Sequence, residues 1–206
     1  MAATIENLVT SGTFSLDGGT WDVDNNVWIV GNDEECVIID SPHDAAAIIS
    51  QVRGRKVLAI LLTHAHNDHI GAAREVAEAV DAPIYLNPED LVLWEQVYPD
   101  AGPDRELADG DVFRVAGATL LAIHTPGHSP GSTCFYLESE GTVFTGDTLF
   151  NGGPGATGRS YSDYPTILAS IRNRLLTLPS ETVVRTGHGD STTIGAERET
   201  LAKVSQ

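Results

Sequence analysis

The run Val57–Leu62, VLAILL, is apolar at every position and passes through Thr63 directly into the hexapeptide HAHNDH. A strand with no polar alternation has to be covered on both faces, which happens in sheets flanked by helices. That requirement points to an α/β chain rather than to an open antiparallel sheet or a helical bundle. The surrounding pattern agrees. NVWIV (26–30) and CVIID (36–40) read as short strands separated by the turn-forming GNDEE. A helix is predicted from about Asp44, with Ala46, Ile49 and Val52 as its apolar stripe, and a second amphipathic helix over 72–80, with Ala73, Val76, Ala77 and Val80 inward. PIYL, a helix beginning near Pro88, and a long surface loop over 98–111 follow. TLLAIH, TCFYL and TVFTGD read as three strands. A helix near Pro165 aligns Ile167, Ile171, Leu175 and Leu178, and TVVRTGH with a short helix from about Gly195 closes the chain. No repeat or linker divides it, so one domain spanning 1–206 is expected.

Four apolar strands run straight into a histidine or aspartate: LLTHAHNDH, LLAIHTPGH, TVFTGD and TVVRTGH. Functional groups collect just beyond the ends of buried strands, because the frame there is rigid and the loops are open. His64, His66, Asp68, His69, His128, Asp147 and His188 are therefore the candidates. For a lone strand-end histidine such as His188, a hydrogen-bonded surface group is the ordinary explanation. HAHNDH is different, because four packed ionisable groups after a buried strand repel one another when charged and gain little from packing. Metal binding favours neutral imidazole and ionised carboxylate together. Seven nitrogen and oxygen donors are too many for one catalytic ion but divide over two if a carboxylate is shared, and they suit zinc, iron or manganese. His43 and His124 read as surface groups or as supports behind the ligands. Asp40, ending VIID, is a candidate to orient a metal-bound histidine.

Twelve Lys and Arg against twenty-nine Asp and Glu give a net charge of -17. Phosphate backbones and anionic membranes need clustered cations, so a small-molecule substrate is expected, with no nucleic-acid or membrane partner. Nothing here assigns an oligomeric state. Cys36 and Cys134 lie far apart in apolar contexts and read as buried structural thiols. The N-terminal MAATIENLVTSG lacks the pattern of a secretion signal, and a cytoplasmic setting is expected.

THAHNDH resembles the Thr-His-x-His-x-Asp-His signature of the metallo-β-lactamase superfamily. TPGHSPGS, FTGDTLF and TGHGDSTTIGAE are similar to the corresponding blocks of its glyoxalase II-like hydrolases, and the resemblance runs from about residue 24 to 200. It implies a four-layer αβ/βα sandwich. His64, His66 and His128 would hold a first metal, Asp68, His69 and His188 a second, and Asp147 would bridge both. Asp68 would also act catalytically by orienting a metal-bridging hydroxide. The implied activity is hydrolysis of a thioester of a glutathione- or mycothiol-type thiol, with two divalent ions, zinc foremost. Alternatives on the same fold are a mononuclear-iron persulfide dioxygenase and a lactone hydrolase. Asp147 separates the chain from the true β-lactamases, which place Cys or Ser there and are exported. Lactonases carry a Tyr where GDTLF offers Leu149 and Phe150. The chain departs from glyoxalase II proper in ending before that enzyme's glutathione-holding helical segment. It also replaces a short Gly-x-Gly-Arg turn with the longer GGPGATGRSYSDYP, where Arg159 and Tyr161 are candidates for substrate contact.

Overall fold

The computed structural model describes residues 3–204. The chain opens on a long antiparallel hairpin, β1 (Thr4–Leu16) and β2 (Gly19–Gly31), paired along its whole length. Asp17 and Gly18 close it with φ of 54° and 77°, the mirror-image turn that an Asp-Gly pair adopts readily. Then come β3 (Glu35–Ile39), α1 (Ala45–Val52), β4 (Lys56–Leu61), the single turn α2 (Asn67–Ile70) and α3 (Ala73–Val80). β5 (Ile84–Leu86), α4 (Leu91–Val97) and β6 (Arg105–Glu106) complete the first half. The second half holds β7 (Val112–Val115), β8 (Ala118–His124), β9 (Thr133–Leu137), β10 (Thr142–Gly146) and the small pair β11 (Leu149–Phe150) and β12 (Gly153–Pro154). It ends with α5 (Tyr164–Ser170), which runs into a π-helical turn at Ile171–Leu175, then β13 (Val183–Thr186), β14 (Thr192–Thr193) and α6 (Ile194–Val204).

Two six-stranded mixed sheets result, in the orders β1-β2-β3-β4-β5-β6 and β14-β13-β10-β9-β8-β7. Alternation along the central strands supplies three apolar layers. Val27, Ile29, Cys36, Ile38 and Ile60 face outward onto α1, α3 and α4. Trp28, Val30, Val37, Ile39 and Leu61 face inward, against Leu120, Phe135, Leu137 and Phe144 of the other sheet. Cys134, Val143 and Val184 cover the far side beneath Ile167, Ile171, Leu175 and Leu201. This is the four-layer αβ/βα sandwich, and it explains why β4 is apolar throughout. The apolar stripe of α1 is Ala45, Ile48 and Val52, one residue earlier than Ala46 and Ile49 would have placed it. Asp44 caps the helix by accepting from Ala47 N, and that fixes the phase. Among the described residues no helix is long and apolar enough to cross a membrane.

Candidate metal centre

His64 and His66 follow β4, and His66 begins α2, whose one turn presents Asp68 and His69. His128 lies in the tight turn between β8 and β9, Asp147 follows β10, and His188 follows β13. The sheets are stitched together beside these ends. Thr133 N donates to Thr63 O at 2.8 Å, Asn26 N to Gly187 O at 2.8 Å, and Trp28 Nε1 to Thr186 O at 3.0 Å. All seven candidates therefore meet at one edge of the inter-sheet layer.

They form two adjoining clusters. His64 Nε2 and His128 Nε2 each lie 3.0 Å from His66 Nδ1, with the three rings nearly perpendicular in pairs. His69 Nε2 and His188 Nε2 are 3.2 Å apart, and Asp68 Oδ2 is 3.7 and 3.3 Å from them. Asp147 faces both clusters: Oδ1 is 3.3 Å from His69 Nε2, and Oδ2 is 3.3 Å from His188 Nε2 and 3.6 Å from His128 Nε2.

The outer nitrogens decide what the inner ones offer. His69 Nδ1 donates to Asp40 Oδ2 at 2.8 Å, His128 Nδ1 to Ala156 O at 2.9 Å, and His188 Nδ1 to Asp24 O at 2.8 Å. His64 Nδ1 meets Thr63 Oγ1 at 3.0 Å, and that hydroxyl spends its own hydrogen on Asp40 Oδ2. Carbonyl and carboxylate oxygens only accept, so in the neutral rings each Nε2 carries a lone pair aimed at the centre. Asp68 Oδ1 and Asp147 Oδ1, carboxylate oxygens, are buried with no hydrogen-bond partner. Converging acceptors without donors are costly unless a cation answers them.

The electrostatics carry the same conflict. Burial, reinforced by the neighbouring rings, holds His64 well below the usual histidine range and His66 down to about 3. Burial works against the charge of His188 too, but Asp147 and Asp68 outweigh it and push the ring up to about 10. Burial would raise Asp147, yet His188 and His69 hold it well below the carboxylate range. Protons on His69 and His188 are the chain's own answer to the carboxylates; a divalent cation serves all seven groups at once.

The model of the metallo-β-lactamase superfamily matches residues 20–188. The chain belongs to the metallo-β-lactamase superfamily. Hydroxyacylglutathione hydrolase GloC of Haemophilus influenzae is 33% identical over 182 residues, 81% of this chain and 86% of the relative. The structure of BLEG-1 B3 metallo-β-lactamase matches with a TM-score of 0.78 at 34% identity, covering 92% of this chain and 97% of that one. TTHA1623, solved in a di-iron-bound form, matches at 0.75 and 37% identity, covering 93% and 98%.

The supports behind the superfamily's clusters come from residues that the spacing of histidines does not flag. Asp40 accepts from Thr63 N, Thr63 Oγ1 and His69 Nδ1, each at 2.8 Å, as its place in the sequence suggested. Asp90, wholly buried, was not foreseen. It accepts from Ala65 N at 2.9 Å on one ligand loop, and from Ser129 Oγ at 2.8 Å and Gly131 N at 2.5 Å on another. Asn25, also wholly buried, stands beside the second cluster with His43 behind it. Gly187 leaves room for the bridging carboxylate, because a Cβ there would collide with Asp147 Oδ1 and His69 Cε1. Gly187→Ala is expected to displace Asp147 and lower kcat/KM by about 100-fold, the cost of an ångström-scale misplacement, with little change in melting temperature. Steady-state kinetics beside a thermal melt checks it.

A cleft of about 240 Å³ opens over His66, Asp68, His128, Asp147 and His188, with Phe14, Trp21, Val23, Ala156 and Arg159 as its walls. The first three come from the β1–β2 hairpin. Of the two candidates for substrate contact, the structure brings Arg159 to the cleft, its guanidinium 3.7 Å above the Trp21 ring. Tyr161 is not among the lining residues; it is exposed and holds a backbone φ of 69°. His124 stays outside as well, its Nε2 donating to Pro130 O.

Proposed function

We propose that the chain is a dinuclear metallohydrolase that cleaves a thioester of a low-molecular-weight thiol to a carboxylic acid and the free thiol. The coarser half of this, metal-dependent hydrolysis, is the chemistry of its superfamily. The observation that carries the reading is the convergence of seven donor groups, with four outer ring nitrogens committed elsewhere, beside a walled cleft that five of the seven line. His64, His66 and His128 would hold one divalent cation, Asp68, His69 and His188 the other, and Asp147 both. The donor set suits zinc and also admits iron or manganese. Bound there, the cations supply an acidified water and a positive centre for a developing oxyanion.

The chain's own residues do the rest. Asp68, whose Oδ1 is buried and without a partner, would accept a hydrogen from the attacking water and orient it. Phe14, Trp21 and Val23 keep bulk water from the acyl group. Apart from the cluster residues, Arg159 is the one ionisable side chain in the described lining, so no separate acid stands ready to protonate a leaving amine or alkoxide. A thiolate departs without that help, which favours a thioester, and the similarity to GloC supports the same choice. Cys36 and Cys134 are free and buried, which suits a reducing compartment, and we read the enzyme as cytoplasmic.

The test is a panel assay of metal-loaded protein with thioesters of several thiols, β-lactams, lactones and a persulfide, the last with an oxygen electrode. Thioester turnover is expected. Turnover of a lactam or lactone with none of any thioester, or oxygen uptake on a single iron, overturns the reading. Arg159 has no ion-pair partner within 4 Å among the described residues, which leaves its guanidinium for a substrate carboxylate. Arg159→Gln is expected to raise KM for a carboxylate-bearing thioester by about 10-fold, leaving kcat and metal content near wild type.

A further inference from the structure

Asn25 sits in the interior of β2, where asparagine is a poor strand former, and is completely buried. The structure turns its amide oxygen toward His43 and sets its amide nitrogen 3.2 Å from Asp68 Oδ2, 3.2 Å from His69 Nε2 and 3.3 Å from His188 Nε2, so a turned-over amide would put the oxygen at those distances. Those three atoms are themselves 3.2, 3.3 and 3.7 Å apart. Four atoms at such spacings form a nearly regular tetrahedron whose centre is about 2.0 Å from each, the length of a zinc–nitrogen or zinc–oxygen bond.

We propose that the side-chain oxygen of Asn25 is a further protein ligand of the second metal. This rests on the metal-binding part of the function proposed above and not on the identity of the substrate. An amide NH2 in that position would bring two hydrogens to three acceptors and point them at a cation. The oxygen brings a lone pair instead. The two ends of an amide are interchangeable in shape, and the partner at the other end selects between them. That partner is the His43 ring, whose Nε2 is 2.8 Å from the outer amide atom. In the tautomer that carries its hydrogen on Nδ1, the His43 ring accepts at Nε2 from the amide NH2. Its position is fixed closely, because a Cβ on Gly12 would run into the ring. Asn25 thus completes a set in which His69, His188, Asp68 and Asp147 are the other members.

Asn25→Asp and Asn25→Leu separate a ligand from a mere hydrogen-bond donor. If Asn25 binds through oxygen, Asn25→Asp keeps two zinc ions per chain after dialysis against a competing chelator, whereas Asn25→Leu keeps one and loses at least tenfold in affinity at the second site. If Asn25 only donates to Asp68, a carboxylate at position 25 faces another carboxylate and Asn25→Asp also loses the second ion. The readout is metal content, with cobalt(II) absorption of wild type and Asn25→Asp reporting coordination number and far-UV circular dichroism confirming the fold. Two ions retained by Asn25→Leu, one ion lost from Asn25→Asp, or a single ion in wild type overturns the proposal. Should wild type bind two ions as described yet cleave no thioester, the functional proposal fails and this one stands.

Discussion

Asp147→Ala is expected to lower kcat by at least about 10³-fold, or about 4 kcal/mol in the barrier, while leaving the folded state intact. The carboxylate faces both clusters, at 3.3 Å from His69 and His188 and 3.6 Å from His128. Removing it also removes the negative charge that offsets two cations held side by side, so metal content should fall toward one ion or fewer per chain. The fold should tolerate the change because, among the described residues, the Asp147 side chain makes no hydrogen bond outside the clusters; its surroundings are their histidines. Metal analysis and single-turnover kinetics on the same preparation test both halves. A variant with full activity would mean that the ligands have been assigned wrongly.

The largest loss of stability should come from Asp90→Ala. This buried carboxylate joins the loop after β4 to the turn between β8 and β9 through Ala65 N, Ser129 Oγ and Gly131 N. Burial raises its pKa despite those donors, which shows how far from water it lies. Truncation strands two backbone N–H groups and a hydroxyl, and breaking such a buried charged network costs about 3–5 kcal/mol. The urea midpoint should fall accordingly, with Asp90→Asn between alanine and wild type because its amide oxygen still accepts. Metal affinity should drop as well, since the two loops carry His64, His66 and His128. A midpoint equal to that of wild type would show that the network adds nothing.

The fold and the seven side chains that converge at the sheet edge were legible for one reason: both are written locally. An apolar strand such as VLAILL announces its two covered faces, and a histidine cluster straight after it announces a rigid frame beneath a polar edge. What escaped notice is written across distance. The β1–β2 hairpin carries Ser, Thr, Gly and Asn among its apolar residues and stays half exposed, so it lacks the alternation of a buried strand. Its local signs were NVWIV at the inner end of β2 and the Asp17–Gly18 turn. Asn25, His43 and Asp90 resemble ordinary turn or surface residues until the folded chain brings their partners from 18 to 163 positions away. Arg159 could be proposed from its loop, but the Trp21 ring on which it lies belongs to a hairpin that had not been recognised. The phase of α1 slipped because adjacent alanines and isoleucines leave more than one stripe available, and Asp44 chooses between them.

His64, His66, Asp68 and His69 hang from one sheet, and His128, Asp147 and His188 from the other. An ion held by either cluster would therefore draw on both halves of the molecule and act as a clasp between them. Neither cluster is complete within one half, because His128 and His188 come from the second sheet and their cluster partners from the first, so tight uptake would have to wait until the halves have docked. Once seated, the ions resist their separation, and heat tolerance should follow metal supply as well as sequence.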